Sequence, residues 1–178
     1  MEDYSIEFVE RTKILLEKIE PLAKDEGLEV TFFMNTLLGL IVLCSEEGGN
    51  SAFQEKIDDS FIKHLIPENI KLLATPQLEL NEAFDTPKNF SLSKRAFLVQ
   101  QDKSWFINKI RNSIAHQNIQ PMPGKDKKWD AVKIWNKRGG KTGTKDFEVI
   151  LSIQHFKEIA LYIATEYLKH KKRKGGKA

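Results

Sequence analysis

The run from Val30 to Cys44 constrains this chain more than any other stretch. From Glu29 to Leu43 the residues are apolar almost all round, which places a helix of this kind in the centre of a bundle. The run is shorter than the roughly 20 apolar residues that a membrane span requires. The reading is therefore a buried core helix and no membrane contact. Asn35 is its polar exception, and a buried amide must find partners. The expectation for Asn35 is a hydrogen bond within the core; the other reading is a supporting role near a site. The single cysteine, Cys44, ends the run. One cysteine forms no disulfide framework and no Cys-based metal site, and it fits a reducing, cytoplasmic setting. The first residues, Met1-Glu2-Asp3-Tyr4, are acidic and lack an apolar stretch, so no signal peptide is expected.

Around this helix, 178 residues suggest one domain. A chain near this size buries roughly two-thirds of its unfolded surface. Ile6, Phe8, Val9, Ile14, Leu15, Leu16 and Ile19 predict a first helix over Tyr4 to Ile19, punctuated by Pro21 and Gly27. A short helix is expected from Ala52 to Leu65, closed by Pro67, and an irregular connection over 67–90. Ser91 or Ser93 can cap the next helix, predicted from about Leu92 to Ala115. Phe106, Ile110 and Ile114 recur there every four residues, and Pro121 and Pro123 forbid continuation. Then the pattern changes. Trp129–Trp135 and Phe147–Ile153 are strand-like runs around a Gly-rich connection, which reads as a β-hairpin over about 129–153. A last helix is expected from about Ser152 to His170, followed by a basic, disordered tail over 171–178. The fold class is mainly all-α: a helical bundle over residues 1–170 with a small β-hairpin insertion before the C-terminal helix.

Charge is unevenly spread. Residues 1–123 carry 13 Lys and Arg against 19 Asp and Glu, a net of −6; residues 124–178 carry 15 against 6, a net of +9. Such asymmetry suggests an anionic partner for the basic part, and nucleic acid is the obvious one, since phosphate neutralisation supplies most non-specific affinity. A plain solvated surface is the alternative. Lys125, Lys127, Lys128, Lys133 and Arg138 are the candidate substrate-binding residues, with Lys137, Lys141 and Lys145 nearby. Trp129 and Trp135 are interleaved with them. Exposed aromatics can stack bases while lysines track phosphates, but the favoured reading is that both tryptophans pack the hairpin onto the bundle.

The chemistry is carried by Arg111-Asn112-Ser113-Ile114-Ala115-His116. Arg111 lies one turn from Ile107 and Ile114, so it borders an apolar stripe. His116 arrives where the helix must give way. A histidine at a helix C-terminus is favoured by the macrodipole when protonated, and histidine suits proton transfer near neutral pH. RNA carries its own nucleophile, the 2′-hydroxyl. A histidine can do the proton work, and an arginine fork can hold two phosphate oxygens. The four histidines, His64, His116, His155 and His170, are scattered without ligand spacing, so no metal or other cofactor is expected. Positions five apart in a straight helix lie roughly 140° from each other. Either the helix ends before His116, or two copies meet at a two-fold axis and line one cleft. Asn112 shares the face of His116 and can orient the imidazole or contact phosphate. A surface ion pair for Arg111 and a simple capping role for His116 remain the bland alternative.

The hexapeptide Arg111–His116 resembles the Arg-x4–6-His signature of HEPN domains, in its Arg-Asn-x-x-Ala-His form. Glu29–Leu40 and Phe8-Val9-Glu10-Arg11-Thr12 are similar to segments of bacterial single-domain HEPN proteins. The resemblance implies a HEPN-type helical bundle, a homodimer with a composite active site, and metal-independent endoribonuclease activity. It assigns Arg111 as phosphate binder and His116 as acid/base residue. It further implies a toxin or an antiviral or anti-plasmid defence effector, with an antitoxin or defence-system protein as partner. HEPN toxins silenced by nucleotide transfer have Tyr two residues after the His; this chain has Asn118, so that route is not expected. The alternative function is a non-catalytic HEPN domain that binds RNA, a nucleotide or a protein within a defence complex.

Overall fold

The computed structural model describes residues 2–18, 20–46, 49–72, 90–124, 128–138 and 143–175. In chain order these form α1 (Glu2–Lys18), α2 (Glu20–Asp25), α3 (Glu29–Glu46), a 3-10 turn (Gly49–Phe53), α4 (Asp59–Leu65), β1 (Lys71–Leu72), α5 (Phe90–Leu98), α6 (Lys103–Ala115), β2 (Ile119–Pro123), β3 (Trp129–Arg138), β4 (Thr144–Ser152) and α7 (Ile153–Gly175). Helix α3 sits centrally and packs against α1, α6 and α7. It buries Phe33, Leu37, Leu40 and Ile41 completely or nearly so. Its other side is not sealed: Thr31 and Asn35 are exposed. Asn35 therefore needs no core partner, because water solvates it.

The fold is mainly helical but not purely all-α. The expected hairpin, β3 and β4, is the middle of a four-stranded antiparallel sheet of order β1-β4-β3-β2. Residues 119–123 were expected to be a simple stop after the helix. They form edge strand β2, with Ile119 opposite Ile134 and Pro121 opposite Val132. Proline is tolerated there because an edge strand has one row of backbone groups with no ladder to complete. One sheet face enters the core, with Val132, Ile134, Phe147, Val149 and Leu151 fully buried. Phe147 meets Trp105 and Phe106 of α6 edge-on. The other face carries Lys133 and Trp135 of β3 and Glu148 and Ile150 of β4, as the register dictates.

The long helix expected over about 92–115 is interrupted. Residues 99–102 separate α5 from α6, and their backbone turns to the segment before α4. Ile57 N–H donates to the Gln101 carbonyl and Lys103 N–H to the Glu55 carbonyl, both at 3.0 Å. These bonds satisfy groups that a continuous helix would have used internally. The expected helix over Ala52–Leu65 is shorter, because Asp58 accepts from Phe61 N–H at 2.8 Å and so starts α4 at Asp59. At the C-terminus, α7 continues to Gly175 through most of the expected disordered tail. Lysines suit a helix C-terminus, and Lys171 also lies over the Tyr167 ring at 5.5 Å. Residues 176–178 lie outside the described residues.

Candidate active site

Helix α6 positions the hexapeptide. Phe106, Ile107, Ile110 and Ile114 are buried against the core. That leaves Arg111 exposed one turn below the helix end. The helix stops at Ala115, and His116 is its C-cap, with φ −93° and ψ 9°. A double-bonded turn follows. Gln117 N–H donates to the Ile114 carbonyl at 3.0 Å, and Asn118 N–H to the Ser113 carbonyl at 2.9 Å. This is the Schellman arrangement. It places Gln117 at φ 56°, a left-handed position that usually takes glycine and costs a side-chain-bearing residue roughly 1 kcal/mol. The turn is tied to the sheet as well, since Trp135 N–H donates to the Asn118 carbonyl at 3.1 Å. The backbone carrying His116 is thus held from two sides while its imidazole is exposed to solvent.

Within one chain the three candidate catalytic residues are joined only in part. Arg111 Nη1 donates to Asn112 Oδ1 at 3.1 Å. The Asn112 carbonyl accepts the His116 backbone N–H at 3.0 Å. The Asn112 amide therefore contacts the guanidinium, not the imidazole. Among the described residues no carboxylate pairs with Arg111. Its neighbours in sequence differ: Arg95 is bidentate on Asp59 at 2.8 and 2.6 Å, Lys103 reaches Glu55 and Asp58 at 2.9 and 3.2 Å, and Lys109 pairs with Asp146 at 2.5 Å.

Of the candidate substrate-binding residues, Lys128, Lys133 and Arg138 are among the described residues. Lys125 and Lys127 lie outside the described residues. Lys128 is exposed, its stem beside the Gly27 turn. Lys133 is half-buried and reaches Glu148 at 3.4 Å. Arg138 is exposed at the end of β3. The tryptophans depart from the favoured reading. Trp129 is 43% exposed. Trp135 alternates outward on β3, away from buried Ile134 and Asn136, and has Lys145 Nζ 5.0 Å from its ring centre. The indole contributed by the helices, Trp105, is the one that packs on Phe147. Sequence alternation along Val132–Asn136 carried this distinction, since Val132 and Ile134 had to face the core.

Among the described residues, two cavities lie elsewhere. One of about 310 Å³ is lined by Asp58, His64, Lys103, Tyr162 and Glu166, and one of about 450 Å³ by Ile62, Ile66, Lys94, Arg95 and Leu98. Neither includes Arg111 or His116, both of which are exposed. Among the described residues no group of three or more His, Cys, Asp and Glu is placed to hold a metal, and no helix is long and apolar enough to cross a membrane. A protein-family model, HEPN pEK499 p136, matches residues 1–174. No curated protein and no solved structure matches the chain.

Proposed function

Starting from the premise that this chain belongs to the HEPN pEK499 p136 family, we propose that it is a cytoplasmic, metal-independent endoribonuclease that works as a homodimer. Its biological setting would be that of a toxin or an antiviral or anti-plasmid effector, checked by an antitoxin or a defence-system protein. The observation that carries the reading is the state of Arg111. It is an exposed cation bonded to a neutral amide, without a carboxylate partner among the described residues. The exposed His116 stands at the anchored end of the same helix. An exposed arginine left open in this way is ready for an anion from outside, and its fork suits phosphate.

In this mechanism Arg111 binds two non-bridging phosphate oxygens, and Asn112 steadies its guanidinium. A neutral His116 takes the 2′-hydroxyl proton, and the 2′-oxygen attacks phosphorus. The bond to the 5′-oxygen breaks, and a protonated His116 supplies the proton to that leaving oxygen. The products are a 2′,3′-cyclic phosphate and a 5′-hydroxyl. Two subunits around a two-fold axis supply one neutral and one protonated imidazole at once. In such a pair, Arg111 of one subunit and His116 of the other can share one phosphate, although no hydrogen bond joins the two within one chain among the described residues. Exposed apolar side chains on the first two helices and the connection after them, Tyr4, Ile14, Leu15, Leu22 and Leu28, offer surface that a second copy can bury. Lys125, Lys127, Lys128, Lys133 and Arg138 contribute attraction for RNA over distance.

The test is substrate chemistry. RNA should yield 2′,3′-cyclic phosphate ends, and the same RNA with 2′-O-methyl groups throughout should stay intact. Cleavage of the methylated RNA would refute the mechanism, because its nucleophile is blocked.

A further inference from the structure

The outward sheet face has features that the cleavage chemistry does not use. Register places Lys71 of β1 opposite Glu148 of β4, and Glu148 opposite Trp135 of β3. Lys133 follows two residues before Trp135 on the same face. Lys145 reaches it from the start of β4, at 3.1 Å from Glu148. Lys133, Lys145 and Glu148 thus neighbour one indole, and Lys71 stands one strand further along the same face. Glu148 is 8% exposed beneath Lys133 and Lys145, so the charge presented to solvent is positive. Gln120 and Met122 of β2 continue the face across the edge strand, opposite Lys133 and Ala131. The link to the candidate active site is one backbone hydrogen bond and a short stretch of chain: Asn118, whose carbonyl accepts the Trp135 N–H, is two residues beyond His116.

We propose that this sheet face is a platform for single-stranded RNA, on which a base next to the cut phosphate stacks on Trp135 while Lys71, Lys133 and Lys145 take the flanking phosphates. The inference deepens the nuclease reading and rests on it. A polyanion fits the excess of lysines. An indole with lysines beside it fits a polymer that alternates flat rings with phosphates, because stacking and phosphate contacts are met together. Single strands are favoured over duplex, since a base can stack on a side chain only after leaving its own stack. Lys145 links the two functions, as its ammonium already lies over the indole at 5.0 Å. The same Lys145 has one carboxylate partner, Glu148, which it shares with Lys133.

The experiment uses the full chain carrying His116→Ala, so that the probe survives. Fluorescein-labelled oligouridine is the probe, with the same length of labelled RNA annealed into a duplex for comparison. Binding is read by anisotropy at fixed salt. The expected result is tighter binding of the single strand. Trp135→Ala should weaken it by about tenfold, within the range known for loss of one base stack, while Trp135→Phe keeps most of the affinity. Should Trp135→Ala not fold, quenching of tryptophan fluorescence by oligouridine, present in Trp129→Phe and lost in Trp129→Phe/Trp135→Phe, gives the same answer. Equal affinity for duplex, or a folded Trp135→Ala within about twofold of its parent, overturns the platform. Binding is scored apart from cutting. Cleavage is scored on the wild type: a wild type that never cleaves, while the His116→Ala chain binds through Trp135, refutes the nuclease reading alone. A chain that cleaves with binding indifferent to Trp135 refutes the platform alone.

Discussion

The two ends of α6 use charge in opposite ways. At its N-terminal end Lys103 has a side chain only 10% exposed, held by Glu55 and Asp58. Burial opposes its charge, but the bond to Glu55, nearby Tyr162 and the bond to Asp58 outweigh it, so its pKa is raised. The backbone closes the same junction, with Lys103 N–H on the Glu55 carbonyl. At the C-terminal end Arg111 and His116 are exposed, and the nearest bonded group is the Asn112 amide. One end satisfies its cation internally and so fixes structure. The other leaves Arg111 without a carboxylate partner among the described residues and His116 exposed, which adds little to stability. A dozen residues of one helix thus separate a fastening from a site.

The widest separation of the two ends should come from paired substitutions. Arg111→Ala should lower RNA cleavage by a factor on the order of 100 or more, as expected for loss of a transition-state contact. Its unfolding free energy should stay within about 0.5 kcal/mol of the parent, as for a surface change. Arg111→Lys should rescue poorly, because an ammonium lacks the planar fork. Lys103→Met should do the reverse, costing about 1 kcal/mol, since its partners are themselves solvated and can rehydrate, with cleavage per folded molecule retained. A Lys103→Met that cut RNA as poorly as Arg111→Ala would erase the distinction.

Next in size is the acid response of the fastening. The bond and charge of Lys103 lower the Glu55 pKa, and the Phe61 N–H with Lys103 lowers that of Asp58. A lowered folded-state pKa adds stability above the unfolded carboxylate range, and that part is lost as pH falls through the folded value. Denaturant melts from neutrality to below pH ~4 should therefore show an acid loss that Lys103→Met reduces. The C-terminal end has its own stability test. Gln117→Gly should gain roughly 1 kcal/mol by relieving the left-handed residue, read as a rise in melting midpoint. A loss instead would mean that the Gln117 side chain supports the turn. The smallest effect concerns neither end. Burial pushes the Cys44 thiol up to about 12, so the native protein should be almost inert to a thiol reagent at neutral pH and react only on unfolding.

Local patterns were readable where one force decided them. Apolar spacing located α1, α3, α6 and α7, and runs of aromatic and β-branched residues located β3 and β4. Positions decided by distant partners were not readable. The break at 99–102 depends on backbone bonds to residues 55–57, and β1 is two residues that exist only beside β4. Prolines hid β2, because at an edge they signal a stop as readily as a strand. In the site, the hexapeptide and the end of its helix were legible from Arg111 to His116. The left-handed Gln117 was not, since glycine is the usual signal. The outward turn of Trp135 followed from alternation, yet its bulk suggested burial.

The most direct test of the nuclease account is the rate of RNA cleavage by the purified chain in excess EDTA, measured beside an identically prepared His116→Ala. The account predicts that chelation leaves the wild-type rate unchanged and that the variant is slower by a factor of about 100 to 10,000. Cleavage that stops on chelation, or that persists undiminished without His116, would contradict it.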